Sequence, residues 1–199
     1  MRWQLKKIHV LSLVGVALVL SCNSLNNLPS AFATPTAYTL PSAADCPNPQ
    51  PTQNEVDRAR AYQESTFTDA DWKTSYTVTE FRVSVTRQHD PLGAVINFDY
   101  VIFCGATFAA LREYYSDAAF DIIFQNYDAH EFTGNCRAGN ILLYELHFTN
   151  LGYEYNGRYW VEILDGNHIR ETLMVFPETD AANLDEYSSK IMPTLRSCK

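Results

Sequence analysis

Apolar and polar residues alternate strictly from Ile96 to Cys104. Ile96, Phe98, Tyr100, Ile102 and Cys104 fall on one side and Asn97 and Asp99 on the other, which predicts a strand with one buried face. Upstream, Tyr76 and Val78 alternate in one phase and Phe81, Val83 and Val85 in the opposite one, so a strand from Lys73 to Thr86 has to change faces near Glu80 by a bulge or break. Thr52-Gln53-Asn54-Glu55 has the spacing of a capping box and predicts a helix to about Ser65, with a thin apolar face. From Thr107 the period becomes helical: Phe108, Leu111, Tyr115, Ala118 and Ile122 form one stripe ending near Tyr127. Leu142, Tyr144, Leu146 and Phe148 then alternate against Glu145, His147 and Thr149, which reads as a strand with a solvated outer face, and Asn150-Leu151-Gly152 turns the chain. A hairpin around Asp165-Gly166-Asn167 is expected to pair Ile163 with Ile169 and Glu162 with Arg170, because a one-residue slip sets Glu162 against Ile169. A final helix from about Asp180 buries Leu184, Tyr187 and Ile191 until Pro193 stops it. The order is helix, two strands, helix, three or four strands, helix. It predicts an α+β fold in which helices pack on an antiparallel sheet of about five or six strands.

The N-terminus changes this picture. Met1 to Lys7 is basic and Ile8 to Leu20 is a thirteen-residue, mostly apolar run. Spanning a bilayer takes about 20 residues, so the run has the length of a signal-peptide core. Segment 1–21 is therefore expected to be a signal peptide. Asn23 to Gln53 holds six of the nine prolines. It makes 22–53 a Pro/Ser/Asn-rich tether ahead of a single domain at 54–199.

The formal charge is −8, and removing Arg2, Lys6 and Lys7 with the leader takes it to −11. Such a surface disfavours nucleic acid and anionic headgroups as partners, so any membrane attachment should be covalent. Val19-Leu20-Ser21-Cys22 resembles the lipobox of bacterial lipoproteins. The resemblance implies lipidation of Cys22, an extracytoplasmic location and a membrane reached through that anchor. Ala31-Phe32-Ala33 offers the alternative of ordinary cleavage and secretion, and an uncleaved anchor is a third.

Setting Cys22 aside leaves Cys46, Cys104, Cys136 and Cys198. They have no zinc-like spacing, and export favours two disulfides over free thiols. Three connectivities are possible. Cys104–Cys136 with Cys46–Cys198 is the expected one, since domain termini usually lie close together.

No G-x-S-x-G, Gly-rich phosphate loop or H-E-x-x-H is present, so no catalytic residue, metal ligand or cofactor is assigned. An enzymatic alternative, an envelope hydrolase or a metal-dependent enzyme, would draw on Glu145 and His147, with His168 or Glu162 beside them, or on His89 next to Asp90; neighbouring His130 and Glu131 should point to opposite faces. The densest unusual feature is aromatic. Trp160, Tyr153 and Tyr155 are the candidate ligand platform, with packing of the aromatic hairpin as the competing reading. From Ile141 to Leu195 the element order, a strand meander followed by a helix, resembles PsbP or Mog1-like proteins, which implies a fold and assigns no functional residue. The functional expectation is a non-catalytic, membrane-tethered accessory or binding domain of the cell envelope, acting on a protein or small ligand.

Overall fold

A computed structural model describes residues 50–66 and 71–199. The signal segment 1–21, the lipid site Cys22, the tether as far as residue 49 and Cys46 lie outside the described residues. Helix α1 (Gln53–Thr66) begins where the capping box places it. The Thr52 amide and hydroxyl both donate to Glu55 Oε2 at 2.7 Å. Strands β1 (Lys73–Thr79), β2 (Arg82–His89) and β3 (Ala94–Ile102) form a first meander. Helices α2 (Phe108–Tyr114) and α3 (Asp117–Ile123) follow. A second meander contains β4 (Ala129–Ala138), β5 (Ile141–Asn150), β6 (Tyr153–Ile163) and β7 (His168–Pro177), and α4 (Ala181–Ile191) closes the chain. The last strand docks beside β3, giving one antiparallel seven-stranded sheet in the order β1-β2-β3-β7-β6-β5-β4.

The α+β architecture stands, with seven strands in place of five or six. The phase change near Glu80 is a two-residue hairpin turn, so Tyr76 lies opposite Val85 and Val78 opposite Val83 on one face without a bulge. The irregular β4 escaped the alternation rule because its own bulge sits between Phe132 and Gly134. The long helix expected from Thr107 is two short ones. Tyr115 leaves helical geometry (φ −89°, ψ 53°) and Ser116 starts the next helix. The hairpin register is as expected, Ile163 opposite Ile169 and Glu162 opposite Arg170.

Both faces of the sheet are covered. One carries Val85, Ile96, Phe98, Leu143, Trp160, Met174 and Phe176, and packs with Leu184, Tyr187 and Ile191 of α4 and Tyr62 of α1. Burying each such large side chain contributes about 1.5–3 kcal/mol before entropy is subtracted. The other face is aromatic: Phe120 meets Tyr144 and Phe124 meets Phe148, each at 4.9 Å between ring centroids, which seats α3 on β5. The outer face expected for β5 is therefore not solvated, and Glu145 is buried.

Among the described residues one disulfide is present, Cys136–Cys198, closing 62 residues. A loop of that length restricts the unfolded chain by about 4 kcal/mol. This bond replaces both expected pairings, since Cys136 is no longer available to Cys104 nor Cys198 to Cys46. The physical reason lies in the fold: the tail after α4 crosses β5, where the Cys198 amide donates to Glu145 Oε1 at 3.3 Å, and so ends at β4.

Gly157 on β6 leaves room for Phe148, whose Cε2 lies 2.4 Å from where a Cβ would sit. Gly157→Ala is expected to destabilise the domain by about 1–3 kcal/mol. Urea unfolding followed by tryptophan fluorescence measures the loss.

Candidate functional site

The residues singled out from sequence are dispersed. Trp160 is fully buried, and its indole N–H donates to the Leu195 carbonyl at 2.6 Å. Tyr153 and Tyr155 share the opposite face of β6, with Tyr153 68% exposed. The three therefore make no common platform, because residues an odd number apart on a strand point to opposite sides. His89 Nδ1 accepts from the Leu92 amide at 3.2 Å and so caps a turn. His147 lies 3.3 Å from Glu154 and 3.8 Å from Glu131. Glu145 instead faces Arg158, whose guanidinium runs on to Asp185 and Ser188 of α4. His168 Nε2 meets Glu55 at 2.9 Å and its Nδ1 meets Asp165 at 2.9 Å, which ties the first turn of α1 to the β6–β7 loop. His130 and Glu131 sit on opposite faces of β4, His130 toward Asp121 and Glu131 toward His147. Among the described residues no group of three or more His, Cys, Asp or Glu is arranged to hold a metal ion.

The structure gathers ionisable groups elsewhere. On the face under α2 and α3, Asp99 of β3 lies directly opposite Glu171 of β7. Arg82 of β2 bridges them, with Nη1 3.1 Å from Asp99 and Nη2 3.1 Å from Glu171. The Tyr115 hydroxyl donates to Glu171 from the break between the helices. Asn97 donates to Asp99 at 2.6 Å, yet Asp99 Oδ1 is buried without a partner. Burial outweighs the pull of Arg82, and with Glu171 nearby it pushes the Asp99 carboxyl up to about 6. Burial, and then Glu171, also hold the Tyr115 and Tyr159 hydroxyls well above their ordinary range. The sequence carried a partial sign of this network: Asn97 and Asp99 were read as a solvated face, which is wrong once helices cover both sides of the sheet.

A cleft of about 550 Å³ opens between the α2–α3 corner and strands β4 and β5. Arg112, Tyr115, Asp117, Asn135, Arg137 and Tyr144 are among its walls. The Arg137 guanidinium lies 3.5 Å over the Phe108 ring, and its Nε donates to the Gly139 carbonyl at 3.2 Å. Burial raises the Tyr144 hydroxyl pKa, and Arg112 partly offsets that rise. Neither Arg112 nor Arg137 has a carboxylate partner among the described residues, whereas Arg82, Arg158 and Arg170 all do. Sequence reasoning missed this pair because β4 was not recognised. Without its register Arg137 has no address.

No protein-family model matches this chain, and no curated protein matches it.

The raised Asp99 carboxyl makes the stability of the domain depend on pH. Folding holds its proton up to about pH 6, whereas the unfolded chain releases it near 3.8. The stability this provides is complete below the unfolded value and is lost as pH rises through about 6. Relative to Asp99→Asn, the native protein is expected to lose about 2–3 kcal/mol between pH 4 and pH 7. Paired urea titrations across that range read the difference.

Proposed function

We propose that this protein is a non-catalytic extracytoplasmic binding domain, tethered to a membrane by lipid on Cys22, that holds a small anionic ligand in the cleft between α2–α3 and β4–β5. One observation carries the reading: Arg112 and Arg137 line a single cleft of about 550 Å³ and neither has a carboxylate partner among the described residues. The chain carries −8 overall, so a concavity lined by two arginines and one aspartate runs against its general charge. A guanidinium has a rigid fork of donors suited to carboxylate or phosphate, and tyrosine walls add flat contact area at low entropic cost. Asp117 in the wall leaves room for a donor group on the same ligand.

The tether follows from the N-terminal pattern. A signal-length apolar run, a Cys after a small residue and a proline-rich spacer suit a domain held near a membrane while its cleft faces the surrounding medium. None of the described helices is long and apolar enough to cross a membrane.

Two experiments test the proposal. In thermal unfolding with increasing phosphate or citrate, a saturable rise in Tm is expected for the native protein and none for the Arg112→Ala/Arg137→Ala double variant. Both side chains are exposed, so the double change itself should cost no more than about 1 kcal/mol. No rise, or an equal rise in the variant, removes the cleft from the function. In cells fed labelled palmitate, the full-length chain should carry the label and Cys22→Ala should not. A label that survives this change ends the lipid-anchor reading.

A further inference from the structure

We infer that copies of this chain associate head to tail, the apolar tip of the β5–β6 turn of one copy seating in the cleft between α2–α3 and β4–β5 of the next. The tip is built against its own backbone preference. Asn150 pairs with Tyr153 across a two-residue turn, with φ 53° at Leu151 and 79° at Gly152. Asparagine, aspartate or glycine suits the first of these positions, because a left-handed backbone crowds a larger side chain. Leu151 is the only residue other than glycine with a positive φ among the described residues. The strain is held from behind by Asp128, whose amide donates to the Thr149 carbonyl at 2.9 Å and whose carboxylate accepts from the Leu151 amide at 2.7 Å. The conformation leaves Leu151 69% exposed, with Tyr153 68% exposed beside it. An apolar side chain that is both strained and solvated lowers the stability of the fold, which points to a use outside it.

Charge and position identify a second copy as the partner. The segments around the tip, 121–132 and 147–157, contain Asp121, Asp128, Glu131 and Glu154 and no lysine or arginine. The charged walls of the cleft are Arg112, Arg137 and Asp117, one positive charge in excess, and Leu142 and Tyr144 add apolar surface. An acidic rim around an apolar tip thus matches a cationic rim around a partly apolar hollow. Size agrees as well. Cavities of roughly 150 Å³ hold benzene, so the cleft of about 550 Å³ takes a leucine side chain and a phenol ring together. Tip and cleft sit on the same sheet face, since Tyr153 shares its side of β6 with Tyr159, which lies opposite Tyr144. They are at opposite ends of that face. Leu142 and Arg137 pair beside the β4–β5 turn, about 25–30 Å along β5 from Asn150, so no tip reaches the cleft of its own chain. A contact between two different surfaces at opposite ends is heterologous and propagates as an open chain of copies. A lipid surface suits the tip less well, because the first turn of α1, where the chain enters the domain, meets His168 at the β6–β7 turn, the end of the sheet away from Leu151.

The test is sedimentation velocity of the whole protein in a buffer free of phosphate and citrate, so that the result does not depend on whether the cleft also takes a small anion. The contact is small, and association of the native protein is expected in the range of about 10–100 μM. Leu151→Asn relieves the turn and should raise Tm by about 2–4 °C while leaving the protein monomeric. Arg112→Ala/Arg137→Ala, with an unchanged circular dichroism spectrum, should be monomeric too. The first variant keeps its cleft and the second keeps its tip, so an equal mixture of the two should form one-to-one dimers and nothing larger. A native protein that stays monomeric up to about 1 mM overturns the inference. Association retained by either variant alone, or a mixture without dimers, overturns it as well. Binding of the native chain to phosphatidylcholine vesicles that Leu151→Asn abolishes, without association between chains, assigns the tip to lipid and has the same effect.

Discussion

The sheet is joined at its centre by a repulsion that something else must neutralise. β3 and β7 come from different meanders, and where they meet Asp99 faces Glu171. Like charges directly opposite each other on one face oppose strand pairing, and burial makes the opposition worse. Arg82, from the adjacent strand, reaches both carboxylates, and Tyr115 arrives from the helical layer to donate to the second. Four residues from β2, β3, β7 and the α2–α3 break therefore have to be in place together. Any arrangement that pairs β3 with another strand strands at least one buried charge. The network therefore need not add net stability, since replacing such clusters by apolar packing is often neutral or better.

That constraint also accounts for the interruption of the helix after β3. A continuous helix would keep Tyr115 on the helical stripe, pointing wherever the phase of Phe108 and Leu111 took it. Leaving helical geometry at Tyr115 frees its hydroxyl to reach Glu171, while Ser116 restarts a helix whose Phe120 and Phe124 lie over Tyr144 and Phe148. The break has a further effect, for it places Arg112 at the end of one short helix and Asp117 at the start of the next. Both then line the concavity next to β4.

What the sequence disclosed depended on how local the cause was. The capping box at Thr52, the register across Asp165 to Asn167 and the burial of Leu184 and Ile191 are set by residues within a turn or a hairpin of one another, and each was legible. β4 was not. Its polar sequence is tolerated because it is an edge strand that pairs with β5 alone, and its bulge breaks the alternation by which strands are recognised. The burial of Asp99 and Glu145 was illegible for a different reason. A period of two says which residues share a face, but coverage of that face is decided by helices distant in sequence. The disulfide failed on the same ground, since proximity of Cys136 and Cys198 depends on where the tail after α4 runs.

The cleft has its origin in this coverage. The sheet presents more face than the described helices seal, so a concavity is left at the corner between α2 and α3. Its contents are then decided by charge. Among the described residues Arg82, Arg158 and Arg170 are drawn into pairs with carboxylates. A guanidinium left without a carboxylate beside a concavity is able to take a partner from outside the chain. Arg112 and Arg137 meet that condition in the larger cleft, neither having a carboxylate partner among the described residues, although Arg137 already lies over Phe108 and donates to the Gly139 carbonyl.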